Sequence, residues 1–174
     1  KREQKIGEAP AIISLITARQ IEQYGFESVG EALSSLSGLD ILHDQLQYNL
    51  GVRGINAGMR GWSRIVKVMI EGQSVAFRPN SENFLGGELM PMQAVERIEV
   101  VRGPSSALYG ANAYLGVINV IPRRGERIDG IELRTGLGLV QGHPSYDLGL
   151  LWGKKIGRVD YLVSVRGQFA DRSG

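Results

Sequence analysis

The chain has 174 residues, of which 43% are hydrophobic and 22% charged, a composition that argues against intrinsic disorder, collagen-like sequence and coiled coil. The 20 Lys and Arg against 18 Asp and Glu give a net charge of only +2, which argues against the dense basic surface of a nucleic-acid-binding protein. The absence of cysteine excludes disulfides and cysteine-ligated metal sites, and the 24 glycines, about twice the average share, predict frequent turns.

The first part of the chain predicts a short strand followed by two capped helices. A β-branched run predicts the strand over residues 9–16. Thr17 with Gln20, and Ser28 with Glu31, have the spacing of a capping box, in which the hydroxyl accepts a backbone N–H and the second side chain reaches back to the cap. Each box predicts the start of a helix.

The middle of the chain predicts strands separated by glycine-rich turns. Residues 65–70 form a β-branched run, and residues 116–122 form another. Residues 96–102 alternate charged and aliphatic side chains, so we expect a strand with one polar face. A helical turn is predicted over residues 104–108. Residues 77–87 lack periodicity and are rich in Pro, Asn, Ser and Gly, which predicts a long exposed loop.

Beyond residue 125 three segments alternate strictly between apolar and polar residues. They cover residues 131–139, 146–152 and 159–169, with a connection predicted over 154–158. Such segments are typical of a transmembrane β-barrel, and a soluble antiparallel sheet produces the same alternation. No run of about 18 apolar residues is present, so we expect any membrane role to depend on strands.

The sequence gives little evidence for a catalytic site or a metal site. His43 and His143 are the only histidines, and the only nearby carboxylates are Asp40 and Asp44 around the first of them. The glycine-rich segment 51–61 lacks the Gly-Lys-Ser/Thr ending of a phosphate-binding loop. We therefore expect no enzyme activity and no cofactor bound by the chain itself.

Several sequence blocks follow one another between residue 9 and about residue 124. They are the strand and two capped helices of 9–40, then 52–54, 68–72, 95–104, 107–110 and 116–121. In order and spacing these blocks resemble the plug domain of TonB-dependent outer-membrane receptors. The family usually has Asp where Glu71 stands and Pro where Ser37 stands, and the segment that binds TonB is not visible before Lys1.

The resemblance implies an α+β fold in two parts. Residues 1–124 would form a small mixed plug domain with short helices, and residues 125–174 antiparallel strands from the start of a truncated transmembrane β-barrel. Because the chain begins at Lys1 without Met or an apolar signal core, we expect a fragment or a processed product. Exposed strand edges and apolar strand faces would favour dimerisation of such a fragment.

The resemblance also implies a function in the outer membrane of a Gram-negative bacterium. The plug would belong to a receptor for active uptake of a siderophore, that is a ferric chelate, or a similar large nutrient, and iron would travel inside the chelate. The expected partners are the ligand, the receptor's own barrel, and the TonB-ExbB-ExbD complex, which would act through a segment missing here. The alternative is a soluble α+β ligand- or protein-binding module without transport activity.

Plug loops that face the cell exterior bind ligand in this family, and they match residues 45–49, 55–63 and 77–87. Aromatic side chains beside arginines could stack on and neutralise a planar, anionic iron chelate. The ligand residues that the resemblance implies are Tyr48, Asn56, Met59, Arg60, Trp62, Phe77, Arg78, Asn80, Asn83 and Phe84.

A second set of residues is expected to latch the plug to the barrel. The family's arginines that match Arg53 and Arg102 face barrel carboxylates. Arg97 and Glu99 join this set because they lie two apart and share a strand face, whereas Arg102 shares the other face with Ile98 and Val100. A buried ion pair of this kind fixes register more than it adds net stability. The alternative is that these are plain surface arginines on an isolated plug.

Overall fold

The structure is a computed structural model that describes residues 12–43, 48–52, 54–55, 65–75, 83–140 and 143–170. The chain divides into two compact units, Lys1–Pro122 and Arg123–Gly174. The mixed α+β class predicted from the sequence is confirmed, with short helices, mainly antiparallel strands and one parallel strand pair. The first unit ends at Pro122 rather than at residue 124, and the assignment of the two units as domains stays a prediction.

The first unit contains a five-stranded sheet and a separate hairpin. Its elements are β1 (Ile12–Thr17), α1 (Ala18–Tyr24), α2 (Val29–Ser34), β2 (Leu39–His43), β3 (Tyr48–Val52), β4 (Val66–Ile70), β5 (Gln73–Ser74), a 3-10 turn (Met92–Ala94), β6 (Val95–Arg102), α3 (Ser106–Tyr109) and β7 (Gly116–Pro122). The sheet order is β1-β6-β7-β4-β5, and only the pair of β4 with β7 is parallel. Among the described residues, β2 and β3 form a separate two-stranded sheet. None of the described helices is long and apolar enough to cross a membrane.

The main hydrophobic core lies against one face of the five-stranded sheet. Strand side chains alternate between faces, so every second residue of β6 and β7 points into this core. The apolar side of α2 packs against the same core. The buried side chains that these three elements contribute are Val95, Ile98, Val100, Ile118, Val120, Val29, Ala32 and Leu33. A smaller cluster of Met69, Ala113 and Val117 covers part of the opposite face.

Helix α1 begins as its capping box predicts. The Gln20 amide donates to the Thr17 hydroxyl at 3.3 Å, and the Thr17 amide donates to the Gln20 side-chain oxygen at 2.9 Å. The second predicted box is only half formed. The Glu31 amide donates to the Ser28 hydroxyl at 3.1 Å, but the Glu31 carboxylate accepts the N–H of Glu27, one residue before the cap.

A two-residue turn at Glu71 and Gly72 joins β4 to β5. Both residues have positive φ, 51° and 77°, which is the geometry of a type I′ hairpin turn. The Gly72 amide donates to the Asn119 side-chain oxygen at 2.9 Å, which ties the turn to β7. The predicted strand ending at this turn is confirmed, although glutamate is a poor residue for the left-handed position.

Replacing Glu71 with asparagine should therefore stabilise the chain. Asparagine tolerates positive φ better than glutamate, so we expect Glu71→Asn to raise the free energy of unfolding by about 0.5–1 kcal/mol in urea denaturation. Glu71→Gln removes the same charge without relieving the backbone, and it is the matched control. Equal stabilities of the two variants would contradict the strained turn.

The second unit is an antiparallel meander preceded by a short helix. Its elements are α4 (Gly125–Ile128), β8 (Gly130–Val140), β9 (His143–Ile156) and β10 (Val159–Ala170), in the order β10-β9-β8. The three predicted alternating strands are confirmed. The predicted connection over 154–158 is wrong in part, because β9 runs to Ile156 and only Gly157 and Arg158 form the turn.

The two faces of this meander differ sharply in chemistry. Ion pairs join Arg123 to Glu132 and Arg166 to Asp147 on the polar face, each at 2.6 Å. The opposite face is apolar, and most of its large side chains are 40–83% exposed, among them Ile131, Leu133, Leu137, Leu139, Tyr146, Leu148, Leu150, Val163, Val165 and Phe169. The polar side chains of one face therefore bond to one another, whereas the apolar side chains of the other face stay exposed.

Candidate functional site

The predicted site residues fall into two groups. Tyr48, Asn83 and Phe84 of the ligand set, and Arg97, Glu99 and Arg102 of the latch set, are in the described part of the chain. The others lie outside the described residues: Asn56, Met59, Arg60, Trp62, Phe77, Arg78, Asn80 and Arg53.

Tyr48 was expected on a loop, but it is the first residue of strand β3, so its placement on a loop over 45–49 is wrong. Its ring covers Gly30 so closely that a Cβ at that glycine would lie 2.5 Å from Cδ1 of the ring. Its hydroxyl accepts from the Ser28 hydroxyl at 3.0 Å and donates to a Glu31 carboxylate oxygen at 3.5 Å. The side chain thus binds the first turn of α2, and its predicted ligand contact stays a prediction.

Asn83 and Phe84 belong to the segment 77–87, which was predicted to be an exposed loop. For these two residues the predicted exposure is wrong. Asn83 is 5% exposed and Leu85 is 1% exposed, while Phe84 is half-buried. The Asn83 amide donates to the Val66 carbonyl at 3.1 Å, and the Leu85 carbonyl accepts the Gly30 N–H at 2.7 Å. Buried polar groups need hydrogen-bond partners, and these two long-range bonds supply them. The segment can therefore lie in the core instead of in solvent.

The phenol of Tyr48 should make stability sensitive to alkaline pH. Burial raises the pKa of Tyr48, the Ser28 hydrogen bond opposes this, and the nearby Glu31 and Glu88 carboxylates add to the rise. A raised folded-state pKa means that the unfolded chain ionises first. This contribution to the free energy of unfolding is therefore complete below pH about 10 and is lost as pH rises further.

Urea unfolding of the wild type and of Tyr48→Phe between about pH 9 and pH 11 measures this contribution. The wild type should lose more stability than Tyr48→Phe over that interval. Parallel curves for the wild type and Tyr48→Phe would show that the phenol titrates alike in both states.

Arg97 and Glu99 share a face of β6, as predicted, and they bind each other. The Arg97 Nε donates to Glu99 Oε1 at 2.8 Å. The other Glu99 oxygen accepts from the Asn119 amide at 3.1 Å, and Asn119 in turn binds the turn at Gly72. A polar chain therefore crosses from β6 through β7 to the β4–β5 turn. These bonds occupy both oxygens of Glu99 within the first unit, and the latch role of Arg97 and Glu99 stays a prediction.

Arg102 lies on the other face of β6, with Ile98 and Val100, as predicted. Its guanidinium donates to the Ser14 hydroxyl at 2.6 Å and to the Ser37 carbonyl. Its Nε is buried and has no acceptor among the described residues. A buried guanidinium donor without an acceptor is costly, so this Nε is the one strained feature of the Arg102 contacts, and the latch role of Arg102 stays a prediction.

A cavity of about 570 Å³ lies on the Glu99 face of the sheet. Its lining groups largely satisfy one another: Lys67 donates to the Tyr109 carbonyl at 2.6 Å, and Glu99 binds Asn119. No cluster of three or more His, Asp or Glu that could hold a metal ion occurs in the described ranges. The remaining lining residues are Met69, Gly72, Ser74 and Leu108.

Comparison with known proteins identifies the first unit. A family model described as TonB-dependent Receptor Plug Domain matches residues 5–117. The chain belongs to this family. The resemblance inferred from the ordered sequence blocks is confirmed.

Two relatives of the plug show how far the similarity extends. The chain is 36% identical over 129 residues to the iron-regulated outer membrane virulence protein of Vibrio cholerae, covering 71% of this chain and 19% of that protein. It is 29% identical over 174 residues to the vitamin B12 transporter BtuB of Vibrio cholerae, covering 98% of this chain and 26% of the transporter. The chain thus spans about a fifth to a quarter of the length of these curated relatives.

Solved receptor structures share the fold. The ferric-catecholate import receptor Fiu from E. coli K12 superposes with a TM-score of 0.66 at 19% identity, over 92% of this chain and 21% of that chain. The siderophore receptor PirA from Pseudomonas aeruginosa gives 0.62 at 21% identity, over 94% and 30%. At these identities the likeness supports the fold alone.

Sequence reasoning missed three residues that organise the plug. Asn119 was passed over, although a lone amide within the aliphatic run 116–121 signals a polar contact on that face. Gly30 was also missed, although glycine inside a capped helix signals a close neighbour. Lys67 alternates with apolar residues in β4 and could have been assigned to the face of Glu99 from strand periodicity.

Proposed function

We propose that this plug belongs to an outer-membrane receptor of a Gram-negative bacterium that imports a ferric siderophore with energy from the TonB-ExbB-ExbD complex. The observation that carries the proposal is the match to the plug family, together with 36% identity to an iron-regulated outer membrane protein. Relatives of the plug are receptors and transporters, and we propose no catalytic role.

The second unit supports the outer-membrane location. Its apolar face carries aromatic pairs toward both ends, with Trp152 and Tyr161 at 6.4 Å between ring centroids and Tyr146 opposite Phe169. At about 3.4 Å per residue, Tyr146 and Trp152 are separated by about 20 Å along β9. An apolar band between aromatic girdles is the outward surface of a membrane barrel.

The loop chemistry supports an anionic iron chelate as the ligand. Arg60 and Arg78 supply positive charge, and Trp62 and Phe77 supply aromatic faces, within the segments that match the family's ligand loops. Guanidinium groups form charge-assisted bonds with anionic oxygens, and aromatic faces stack on planar ligands. Iron is cargo carried in the chelate, so the chain needs no metal site of its own.

Vitamin B12 is a second candidate ligand. The observation in its favour is the match to the vitamin B12 transporter, which extends over 98% of the chain and includes the second unit. A corrin is large, planar and much less anionic than a ferric catecholate. The two ligands therefore differ in how strongly they should depend on Arg60 and Arg78.

Binding to the purified complete receptor tests the proposal, with ferric enterobactin and vitamin B12 as the two probes. We expect ferric enterobactin to bind, and Arg60→Ala and Trp62→Ala each to weaken it by about tenfold. Tyr24→Ala is the control, because Tyr24 is exposed and lies outside the proposed ligand loops. Binding of vitamin B12 alone would favour the second candidate, and binding of neither probe would contradict both.

A further inference from the structure

Two segments that lead out of proposed ligand loops meet at the first turn of α2. The ring of Tyr48, which follows one loop, packs on Gly30 of that turn. The carbonyl of Leu85, at the end of another loop, accepts the N–H of the same glycine at 2.7 Å. Gly30 therefore supports both segments. The Tyr48 ring occupies the space where a side chain of residue 30 would lie, and the backbone N–H of Gly30 binds the Leu85 carbonyl.

The sequence at Gly30 is adapted to the Tyr48 ring. Alanine favours a helix over glycine, so a glycine inside α2 needs another reason. A Cβ at Gly30 would lie 2.5, 2.6 and 2.9 Å from three carbons of the Tyr48 ring, distances at which the ring must move. The absence of a side chain at Gly30 lets the ring lie directly against the helix.

The hydroxyl of Tyr48 is committed to the cap of α2. It binds Ser28 and Glu31, the two residues whose predicted reciprocal capping box is only half formed. The other Glu31 oxygen binds the Glu27 amide at 2.7 Å. The phenol thus joins a hydrogen-bond network at the helix start, and such a network responds as a unit when one member is removed.

The segment that ends the second loop is held on both sides. Leu85 binds α2 through Gly30, and the Asn83 amide donates to the Val66 carbonyl at the start of β4. Both side chains are buried. The position of this segment is therefore set by α2 and β4, and the position of Tyr48 is set by the same turn of α2.

We propose that Tyr48 is a positioning residue, which holds the start of β3 at a fixed place relative to residues 83–85 through the first turn of α2, and that it does not contact the ligand. The inference rests on the proposed function and replaces the direct contact expected from the sequence. A ligand held near both of these described segments then meets a pre-organised support, and loosening that support weakens binding.

Affinity of the complete receptor for ferric enterobactin tests this role. Tyr48→Phe keeps the ring and removes the hydroxyl, and Ser28→Ala removes its partner, so each should weaken binding by about three- to tenfold. The double variant should weaken binding by less than the product of the two single-variant fold-changes, because both substitutions remove the same hydrogen bond between Tyr48 and Ser28. Tyr109→Phe should bind like the wild type. Val117→Ala, which lowers stability from the opposite face of the sheet, should also keep the wild-type affinity.

Each alternative gives a different result. Weaker binding by Tyr48→Phe with unchanged binding by Ser28→Ala would restore direct ligand contact and overturn the positioning role. Wild-type affinity in both variants, or an equal loss in Val117→Ala, would also overturn it.

Hydrogen exchange in the ligand-free receptor separates this inference from the proposed function. Tyr48→Phe should speed exchange of the Gly30 amide several-fold and leave the amides of β7 unchanged. An unchanged rate at Gly30 overturns the connection whether or not any probe binds. Failure of the wild type to bind either probe overturns the proposed function, and with it the role of Tyr48 toward a ligand, while the exchange rates still report on the connection itself.

Discussion

Replacing Ile98 with alanine is expected to lower the free energy of unfolding by about 2–5 kcal/mol, the range for truncating a fully buried isoleucine. Ile98 is 0% exposed and lies in β6, between its partners Ile16 in β1 and Val120 in β7. Truncation removes apolar contacts with both neighbouring strands and leaves a cavity that paired strands cannot close. Equilibrium unfolding in urea, monitored by circular dichroism, measures the loss.

Ile12→Ala is the matched control for this prediction. Ile12 lies in the edge strand β1 of the same sheet and is 53% exposed, so the same chemical change should cost less than about 1 kcal/mol. Similar losses from the two substitutions would mean that the core does not lie on the Ile98 face of the sheet.

Gly116→Ala is expected to lower the free energy of unfolding by about 2–3 kcal/mol, through overpacking rather than through a cavity. A Cβ at Gly116 would lie 2.7 Å from the carbonyl oxygen of Val101. Gly116 begins β7, which is paired with β6 on one side and β4 on the other, so the backbone cannot retreat from the clash. The same urea experiment measures this loss.

Gly87→Ala provides the control for Gly116. A Cβ at Gly87 would meet nothing within 4 Å, so alanine there should leave stability unchanged or raise it slightly by restricting the unfolded chain. A loss at Gly87 as large as that at Gly116 would show that a general effect of removing glycine, and not the contact with Val101, is being measured.

Local chemistry explains which parts of the fold could be predicted. The capping box of Thr17 and Gln20 involves residues three apart, and it formed as the sequence indicates. The charged and aliphatic alternation of 96–102 placed Arg97 and Glu99 on one face of β6 and Arg102 on the other. Each inference depended on spacing within one element, where periodicity fixes direction.

Long-range contacts explain the errors. The box of Ser28 and Glu31 is half formed in a turn that also binds the hydroxyl of Tyr48, 20 residues beyond Ser28. Asn83 is buried because its amide meets a carbonyl 17 residues earlier in the chain. The composition around Asn83 resembles that of an exposed loop, and in neither segment does a local pattern record the distant partner.

The parallel pairing of β4 with β7 is also a long-range contact. Lys67 pairs with Val117 and Met69 with Asn119, so the register joins residues that are 50 positions apart. This pairing creates the polar face on which Asn119 connects Glu99 to the turn at Gly72. Sequence periodicity predicted the strands, whereas their order in the sheet required the structure.

Uptake of radiolabelled ferric enterobactin by cells that produce the complete receptor is the most direct test of the proposed transport function. Cells that contain TonB should accumulate iron above the level of cells without the receptor, and cells that lack TonB should bind the chelate at the surface without accumulating it. Accumulation that is independent of TonB, or no accumulation above the receptor-free level for ferric enterobactin, would contradict the proposal that this plug serves TonB-driven uptake of a ferric siderophore.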